Sequence, residues 1–462
     1  MREYRDILTG QKRASFSESL PDLKTRLERL RRFEQFTNAN SKAICEAVAG
    51  DMKRPALEIY SSEIVPVLAE LRKAKKHLAD WMKPARAKTS LFNVLAKSRH
   101  YPVPYGSALI IGPWNYPFML LAVPAVNALA AGNRVILKPS EYAPNTARLL
   151  QEKLTGFFEP LEIACFEGGG EDTARMIEAG PDIVFFTGGA GIGKKVMQAC
   201  AGRLIPVVLE LGGCNPCIID GEVDLTVAAR RVAWGKFFNA GQTCLAPNTC
   251  FVHEDIYSDF TAELCRTLER FYGKNPRESK DLGRIVNNRH FTRLEEIKNR
   301  AEGRILVGGG ADSGELFMEP TILELDGFDS PMVQEEIFGP ILPLCRYRNL
   351  DELLEKLRKL APPLVVSCFT KNESVKDLVR RKTVSGSLVF NGTLHVAAST
   401  SLPFGGVGMS GMGRYHGKAG FDQFSYRRAE LDKPFFPDFS FIYPPYRAPM
   451  NVVRKAMKYF IR

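Results

Sequence analysis

The chain has 462 residues, 45% of them apolar and 25% charged. That suits a soluble globular protein of two or three domains and excludes collagen-like, low-complexity and disordered classes. The formal net charge of +11 is spread along the sequence, so it reads as attraction for anionic small molecules or surfaces before nucleic acid. Ten scattered cysteines fit reduced, intracellular thiols. The N-terminus carries no apolar signal-like run, and a cytoplasmic location is expected.

In chain order, the first eighty or so residues read as helices, with Leu20, Leu23, Leu27 and Leu30 at three- and four-residue spacing. Residues 86–104 lose that period and are expected to form a hairpin or extended arm. No charged residue occurs between Arg99 and Arg134. Pro113, Asn115, Pro117, Pro124 and Asn127 interrupt that stretch, which argues against a membrane span. Short apolar runs at 108–111, 135–137, 162–166, 183–186 and 207–211 are then spaced by helix-length segments. This is the βαβ pattern of a parallel sheet covered on both faces. A second alternating region follows, with strands expected at 249–252, 304–307, 340–345, 364–369 and 387–390 and a helix at 256–270. The boundary between the two regions falls near Gly212-Gly213. The last segment, 450–462, is short, basic and amphipathic, suited to packing on the protein body or to peripheral contact with a membrane.

Two motifs fail on inspection. Gly188-Gly189-Ala190-Gly191-Ile192-Gly193-Lys194-Lys195 has Lys195 where a phosphate loop needs a hydroxyl, and it misses the G-x-G-x-x-G fingerprint. It remains a strand, glycine-rich turn and helix, able to meet a phosphate or to serve as an unliganded turn. Cys214-Asn215-Pro216-Cys217 has no second pair, and none of the six histidines stands at metal-ligand spacing from it. Structural thiols are the reading, and no metal site is expected.

Three residues carry stronger chemistry. Cys244 follows Asn239-Ala240-Gly241, so a small-residue turn presents one thiol. Such a cysteine is either a nucleophile or a small buried side chain. Glu210 ends the apolar run Val207-Val208-Leu209 and precedes two glycines. Buried there, its carboxyl would rise toward a general base's range; at an edge, it would simply face water. Asn115, between Pro113 and Pro117, lies just past the first strand of the sheet. It is placed either to donate to a developing oxyanion or to rigidify a turn.

Together these segments resemble the NAD(P)-dependent aldehyde dehydrogenase superfamily, from the helical N-terminus to about residue 430. The resemblance rests on Pro113-Trp114-Asn115, Lys138-Pro139-Ser140-Glu141, Phe186-Thr187-Gly188, Glu210-Leu211-Gly212-Gly213, Gly241-Gln242-Thr243-Cys244 and Glu335-Glu336-Ile337-Phe338-Gly339-Pro340, six motifs in the family's order. Ala246-Pro247 and the run from Leu402 to Gly408 look most like the class 3 branch, which includes fatty aldehyde dehydrogenases. Cys214 and Gly189 depart from the superfamily's usual Lys and Ser.

The resemblance implies an α/β fold: a doubly wound parallel-sheet cofactor domain over 1–85 and 105–210, a second α/β catalytic domain over 211–414, a small oligomerisation arm over 86–104 and 415–435, and a tail over 436–462. It implies oxidation of an aldehyde, medium- or long-chain aliphatic or aromatic, to the acid. Cys244 would be the nucleophile, Asn115 and the Cys244 N–H the oxyanion donors, and Glu210 the activator of water. Trp114, Lys138, Glu141, Gly188, Gly189, Gly193, Glu336 and Phe338 would contact the cofactor. That cofactor is NAD, with NADP also accepted, because Glu141 would oppose a 2′-phosphate while Lys138 offsets it. A homodimer is expected through the arm. Coenzyme A-dependent acyl transfer on the same scaffold and a non-catalytic basic binding protein are the alternative functions.

Overall fold

The computed structural model describes residues 2–17, 19–90, 93, 95–438 and 443–460, and it begins with helices, as the leucine spacing implies. Asp22 caps the 30-residue helix Leu23–Met52 by accepting the Thr25 N–H. That helix buries Leu30, Phe33 and Phe36, and the Phe36 ring lies 6.4 Å from Phe118 and 5.5 Å from Phe157. A one-turn π-helix, Tyr60–Ile64, interrupts the next helical run before Val65–Trp81.

Two open sheets follow. The first has the order Gly411–Met412, Val207–Leu211, Ile183–Gly188, Ser107–Ile111, Arg134–Lys138, Ile163–Cys165, parallel except for the short Gly411–Met412 strand. The chain runs outward on one side from Ser107–Ile111 through Arg134–Lys138 to Ile163–Cys165, then returns to Ile183–Gly188 on the other. That reversal beside Ser107–Ile111 opens a crevice at the carboxyl ends of the strands, where open α/β sheets bind ligands. All five expected strands of this sheet form. Their near-continuous Val, Ile, Leu and Phe runs reflect burial on both faces.

The second sheet is ordered Gly303–Val307, Thr321–Leu325, Ile341–Tyr347, Thr249–His253, Pro216–Ile219, Val365–Phe369, Ser387–Phe390. Only the Gly303–Val307 edge is antiparallel. Two of its strands, Pro216–Ile219 and Thr321–Leu325, were not expected: one is masked by the adjoining cysteine motif, the other by flanking prolines and acidic residues. The segment expected as one unit over 211–414 gives its last strand, Gly411–Met412, back to the first sheet, where it pairs with Leu209 and Glu210.

In the arm, Lys97–Pro104 pairs antiparallel with Ala85–Arg86 on one side and Ser425–Asp432 on the other. Residues 91, 92 and 94 of the expected arm lie outside the described residues. Within 415–435 only the strand joins this sheet. The preceding helix Gly417–Gln423 packs instead on the first unit, with Phe421 against Trp81 and Asn127 beneath Gly420. The uncharged stretch before Arg134 holds most of the strand Lys97–Pro104, the strand Ser107–Ile111 and the buried helix Met119–Ala131. Among the described residues no helix is long and apolar enough to cross a membrane. The tail holds the helix Met450–Phe460 with Met450 and Val452 exposed; the side chains of Met457 and Phe460 lie outside the described residues.

Candidate active site

The crevice between the sheets holds two connected cavities, of about 1090 and 280 Å³, which share Pro113, Trp114, Thr187, Gly188, Gly189, His290 and Arg293 in their walls. The smaller one ends on Cys244, with Asn115, Glu210, Glu336 and Phe338 around it. The residues expected to act on the substrate therefore meet at one place, although they come from distant parts of the chain.

Local backbone geometry presents the thiol. Asn239, Ala240 and Gly241 all have positive φ (53°, 51° and 75°), a strained run for non-glycine residues that persists only where surroundings enforce it. The enforcement is visible. Asn239 donates its side-chain amide to the Asn115 carbonyl at 3.0 Å, and its own N–H bonds Glu58. Gln242 donates to the carbonyls of Asn239 and Arg284 and accepts from the Val286 N–H. Gly241 must be glycine for a second reason: a Cβ there would stand 2.3 Å from the Gly339 carbonyl.

From the other side, Asn215 clamps the loop after the thiol. Its amide donates to the Cys244 carbonyl at 2.6 Å and the Ala246 carbonyl at 3.1 Å, and its oxygen accepts the Val365 N–H. In the cysteine pair motif, the residue between the thiols does the work. Cys217 is buried in a central strand beside Cys250, and Cys214 is half-buried. Among the described residues no group of His, Cys, Asp and Glu has the arrangement to hold a metal.

Glu210 is 2% exposed, and its Oε1 has no hydrogen-bond partner. Burial pushes its carboxyl up to about 8, against the opposing pull of the Cys244 thiol hydrogen-bonded to it, and the negative charge of Glu336 adds a smaller upward push. The same burial and the two carboxylates raise the Cys244 thiol well above its ordinary value. The thiol thus rests protonated beside a carboxyl of strongly raised proton affinity. Asn115 is also buried, and one amide hydrogen goes to the Gln242 carbonyl at 3.0 Å, leaving its second for the cavity that it lines.

Glu336 explains the paired glycines. Its Oε1 accepts the Gly213 N–H at 3.1 Å, and a Cβ on Gly212 would lie 2.0 Å from that oxygen. Burial raises this carboxyl to about 7 despite Arg293 and Lys236 nearby. Asn248 fixes the loop that carries it, donating to the Met332 and Glu335 carbonyls and accepting the Ile337 N–H. Phe338, with φ 50°, sets its ring 5.5 Å from Trp114 in an edge-to-face contact.

The larger cavity receives Trp114, Lys138, Glu141, Gly188 and Gly189. Lys138 is 2% exposed and pairs with Glu141 at 3.4 Å. Gly189 precedes the helix Ala190–Ala201, and a Cβ on it would touch nothing within 4 Å, so the backbone there is open to a ligand. Gly193 is not brought to this cavity. It is buried one turn into the helix, where a Cβ would strike Leu211 at 2.7 Å, so its smallness serves helix-on-strand packing.

Several lining residues were not singled out in the sequence. His290 lies between the Trp114 and Tyr142 rings, and burial beside Arg293 and Arg289 lowers it to about 4, so it is neutral. Lys195, Arg289 and Arg293 add cations to the same walls. Lys195 closes the glycine-rich run already noted, whereas Arg289 and Arg293 lie in a region with no motif, and only the folded chain brings them to the crevice. The fit to a dinucleotide is physical: a cavity of about 1090 Å³, an open glycine turn at a helix N-terminus, surrounding cations for a pyrophosphate and one carboxylate for a ribose hydroxyl.

Comparison with known proteins gives the class. The aldehyde dehydrogenase family profile matches residues 12–429, and the chain belongs to that family. It is 42% identical to aldehyde dehydrogenase family 3 member B3 of Mus musculus, over 93% of this chain and 89% of that protein. It is 39% identical to 4,4'-diaponeurosporen-aldehyde dehydrogenase of Staphylococcus aureus, over 96% of each. A substrate-bound structure of Staphylococcus aureus AldH superposes with a TM-score of 0.94 at 38% identity, covering 99% of both chains. The protein is an NAD(P)-dependent oxidoreductase that converts an aldehyde to a carboxylic acid through a cysteine thiohemiacetal and thioester.

One prediction follows from the burial of Glu210. Its folded-state value, about 8, lies above the unfolded one, so the folded protein binds the extra proton and stability falls as pH rises between about 4.3 and 8. Glu210→Gln removes this titration. Its melting temperature should exceed that of wild type by a margin that widens from pH 5 to pH 8 and then stays level. A pH-independent margin in paired thermal melts would contradict the assignment.

Proposed function

We propose that Cys244 is the nucleophile, Asn115 the oxyanion donor and Glu210 the proton acceptor, acting on a medium- or long-chain aliphatic or aromatic aldehyde. The observation that carries this reading is the shared floor of the smaller cavity, where thiol, carboxyl and amide converge. The Cys244 sulfur adds to the carbonyl carbon as its proton passes to solvent. The carbonyl oxygen becomes an oxyanion, held by the free Asn115 amide hydrogen and the Cys244 N–H. A bound cofactor would supply the hydride acceptor there, and loss of hydride from the substrate carbon leaves a thioester on Cys244. Glu210 then takes a proton from the water that attacks the thioester, releasing the acid and restoring the thiol. A buried carboxyl beside the sulfur favours water as acceptor over coenzyme A. The names of the relatives, one of them a 4,4'-diaponeurosporen-aldehyde dehydrogenase, support an aldehyde substrate.

For the cofactor, Glu141 and Lys138 would hold the adenine-side ribose, Gly188 and Gly189 the pyrophosphate, and Glu336 with Phe338 and Trp114 the nicotinamide end; Gly193 would act only through packing. The proposed division is a cofactor domain over 1–85 and 105–210, a catalytic domain over 211–414, an arm over 86–104 and 415–435 and a tail over 436–462. The eight-residue Ser425–Asp432 strand forms one edge of the three-stranded sheet, which supports a homodimer built across it, and the cytoplasm is its proposed location. Sedimentation equilibrium should return twice the mass of one chain; a single-chain mass would contradict the dimer.

Cys244→Ala should abolish NADH formation while NAD still binds, because the thiol lies apart from the adenosine contacts. Glu210→Gln should leave a pre-steady-state burst of NADH and slow the steady state by about a hundredfold, the usual range for a lost general base. Stopped-flow absorbance decides both: turnover by the alanine variant, or a lost burst in the glutamine variant, would overturn these roles.

Cofactor choice rests on Glu141. A 2′-phosphate about 4 Å from its carboxylate is repelled by roughly 4 kcal/mol at an effective dielectric near 20, before screening by solvent and cations. Lys138 and solvent reduce this to about 1–2 kcal/mol, or roughly ten- to thirtyfold in favour of NAD. Glu141→Gln should narrow the ratio of kcat/KM between NAD and NADP, chiefly through the KM for NADP. An unchanged ratio would mean that Glu141 does not face the 2′ position.

A further inference from the structure

Beneath the Asn115 turn lies an ion cluster that the chemistry above does not use. Arg54 and Glu63 are both 0% exposed and pair at 3.1 Å, with Glu58 3.9 Å from the same guanidinium. Buried ion pairs are poor sources of net stability, so their placement calls for another reason. Here the pair touches the working parts directly. Arg54 donates to the Asn115 carbonyl at 3.4 Å, and its guanidinium lies 4.7 Å over the Tyr116 ring and 5.9 Å from the Phe238 ring.

Glu63 reaches further along the same segment. Its Oε2 accepts the N–H groups of Phe118 at 3.2 Å and Met119 at 2.7 Å. These open the helix Met119–Ala131, which has no cap from its own N-terminal residue. Glu63 sits in the π-helical turn Tyr60–Ile64. The extra residue of such a turn rotates the side chains that follow, and these turns recur at functional sites. Glu58, one turn earlier, accepts the Asn239 N–H at 3.0 Å, and Asn239 in turn bonds the Asn115 carbonyl. The Asn115 turn is thus gripped by Arg54 at its carbonyl and by Glu63 at the helix start three residues on.

We propose that the Arg54–Glu63 pair is a positioning unit that fixes Asn115, so that its free amide hydrogen points at the substrate oxygen. The inference rests on the reading of Asn115 as the oxyanion donor. Neither Arg54 nor Glu63 lines either cavity of the crevice, so the unit acts only through the asparagine. It should affect the step in which the oxyanion forms, and leave cofactor and substrate binding largely unchanged.

The test uses the full chain and stopped-flow NADH bursts with a medium-chain aldehyde. The double variant Arg54→Met/Glu63→Gln removes both charges of the pair together and leaves the partly exposed Glu58 as the one acid of the cluster. It should keep its near-ultraviolet circular dichroism and bind NAD and aldehyde within about threefold, while the burst rate falls by about a hundredfold, as for a lost oxyanion donor. Arg54→Lys, which keeps the charge, should recover about tenfold of that loss. In an Asn115→Ala background the same double variant should cost less than about threefold more, since its route to the substrate is gone.

A folded double variant with a wild-type burst rate would overturn the proposal, as would a full additional loss in the Asn115→Ala background. If the double variant does not fold, Glu63→Gln alone carries the test, with a burst about tenfold slower expected and an unchanged burst decisive against it. Asn115→Ala by itself separates the two levels. If its burst is normal, the reading of Asn115 fails; if its burst is lost while the Arg54 and Glu63 variants behave as wild type, only the positioning unit fails.

Discussion

A carboxyl group buried without a cation beside it is the constraint around which this site is built. Glu210 ends a strand of the first sheet, and the chain must then turn through Gly212 and Gly213 to begin the second. With solvent removed and a second carboxylate close by, its proton is held to about pH 8. A group of that kind can be ionised at working pH yet remain basic enough to take a proton from an attacking water. The thiol beside it feels the same surroundings in the same direction. Neither group keeps its ordinary acidity in these surroundings.

Keeping that contact requires the two sheets to be held in register, and the work falls largely to amide side chains. Asn215 ties the Cys244 loop to the strand Val365–Phe369, Asn248 ties the Glu336 loop to the segment after Cys244, and Asn239 ties the thiol's turn to Asn115. Each satisfies several buried backbone groups at once, as an amide can with two donors and an accepting oxygen. Glycine does the complementary job where chains nearly touch, at Gly241 under the Gly339 carbonyl and Gly212 under the Glu336 carboxyl. The site is therefore rigid before any ligand arrives, which suits stabilisation of charge that exists only in passing.

Much of this was legible in the sequence because burial on both sheet faces writes itself as apolar runs. Val207–Leu211 and Ile183–Gly188 needed nothing more than composition and spacing. Cys244, Glu210 and Asn115 stood out because each breaks a local pattern: a polar group in an apolar run, or a small-residue turn before a thiol. Pro216–Ile219 and Thr321–Leu325 escaped notice because their neighbours carried louder signals. Gly193 was misplaced because a glycine that meets phosphate and a glycine that meets Leu211 look alike in one dimension. His290 and Arg293, and Arg54 and Glu63 beneath the Asn115 turn, gave no warning at all, since what defines them is a neighbour more than forty residues away.

The central claim is that catalysis passes through a covalent bond to one sulfur, relieved by one carboxyl. The most direct measurement is mass spectrometry of the Glu210→Gln protein, quenched in acid within the first turnover on mixing with NAD and a long-chain aldehyde. The account predicts a mass increase equal to the acyl group on the peptide containing Cys244, persisting longer than in wild type. An acyl group on any other residue, or NADH formed with no acylated peptide, would contradict it.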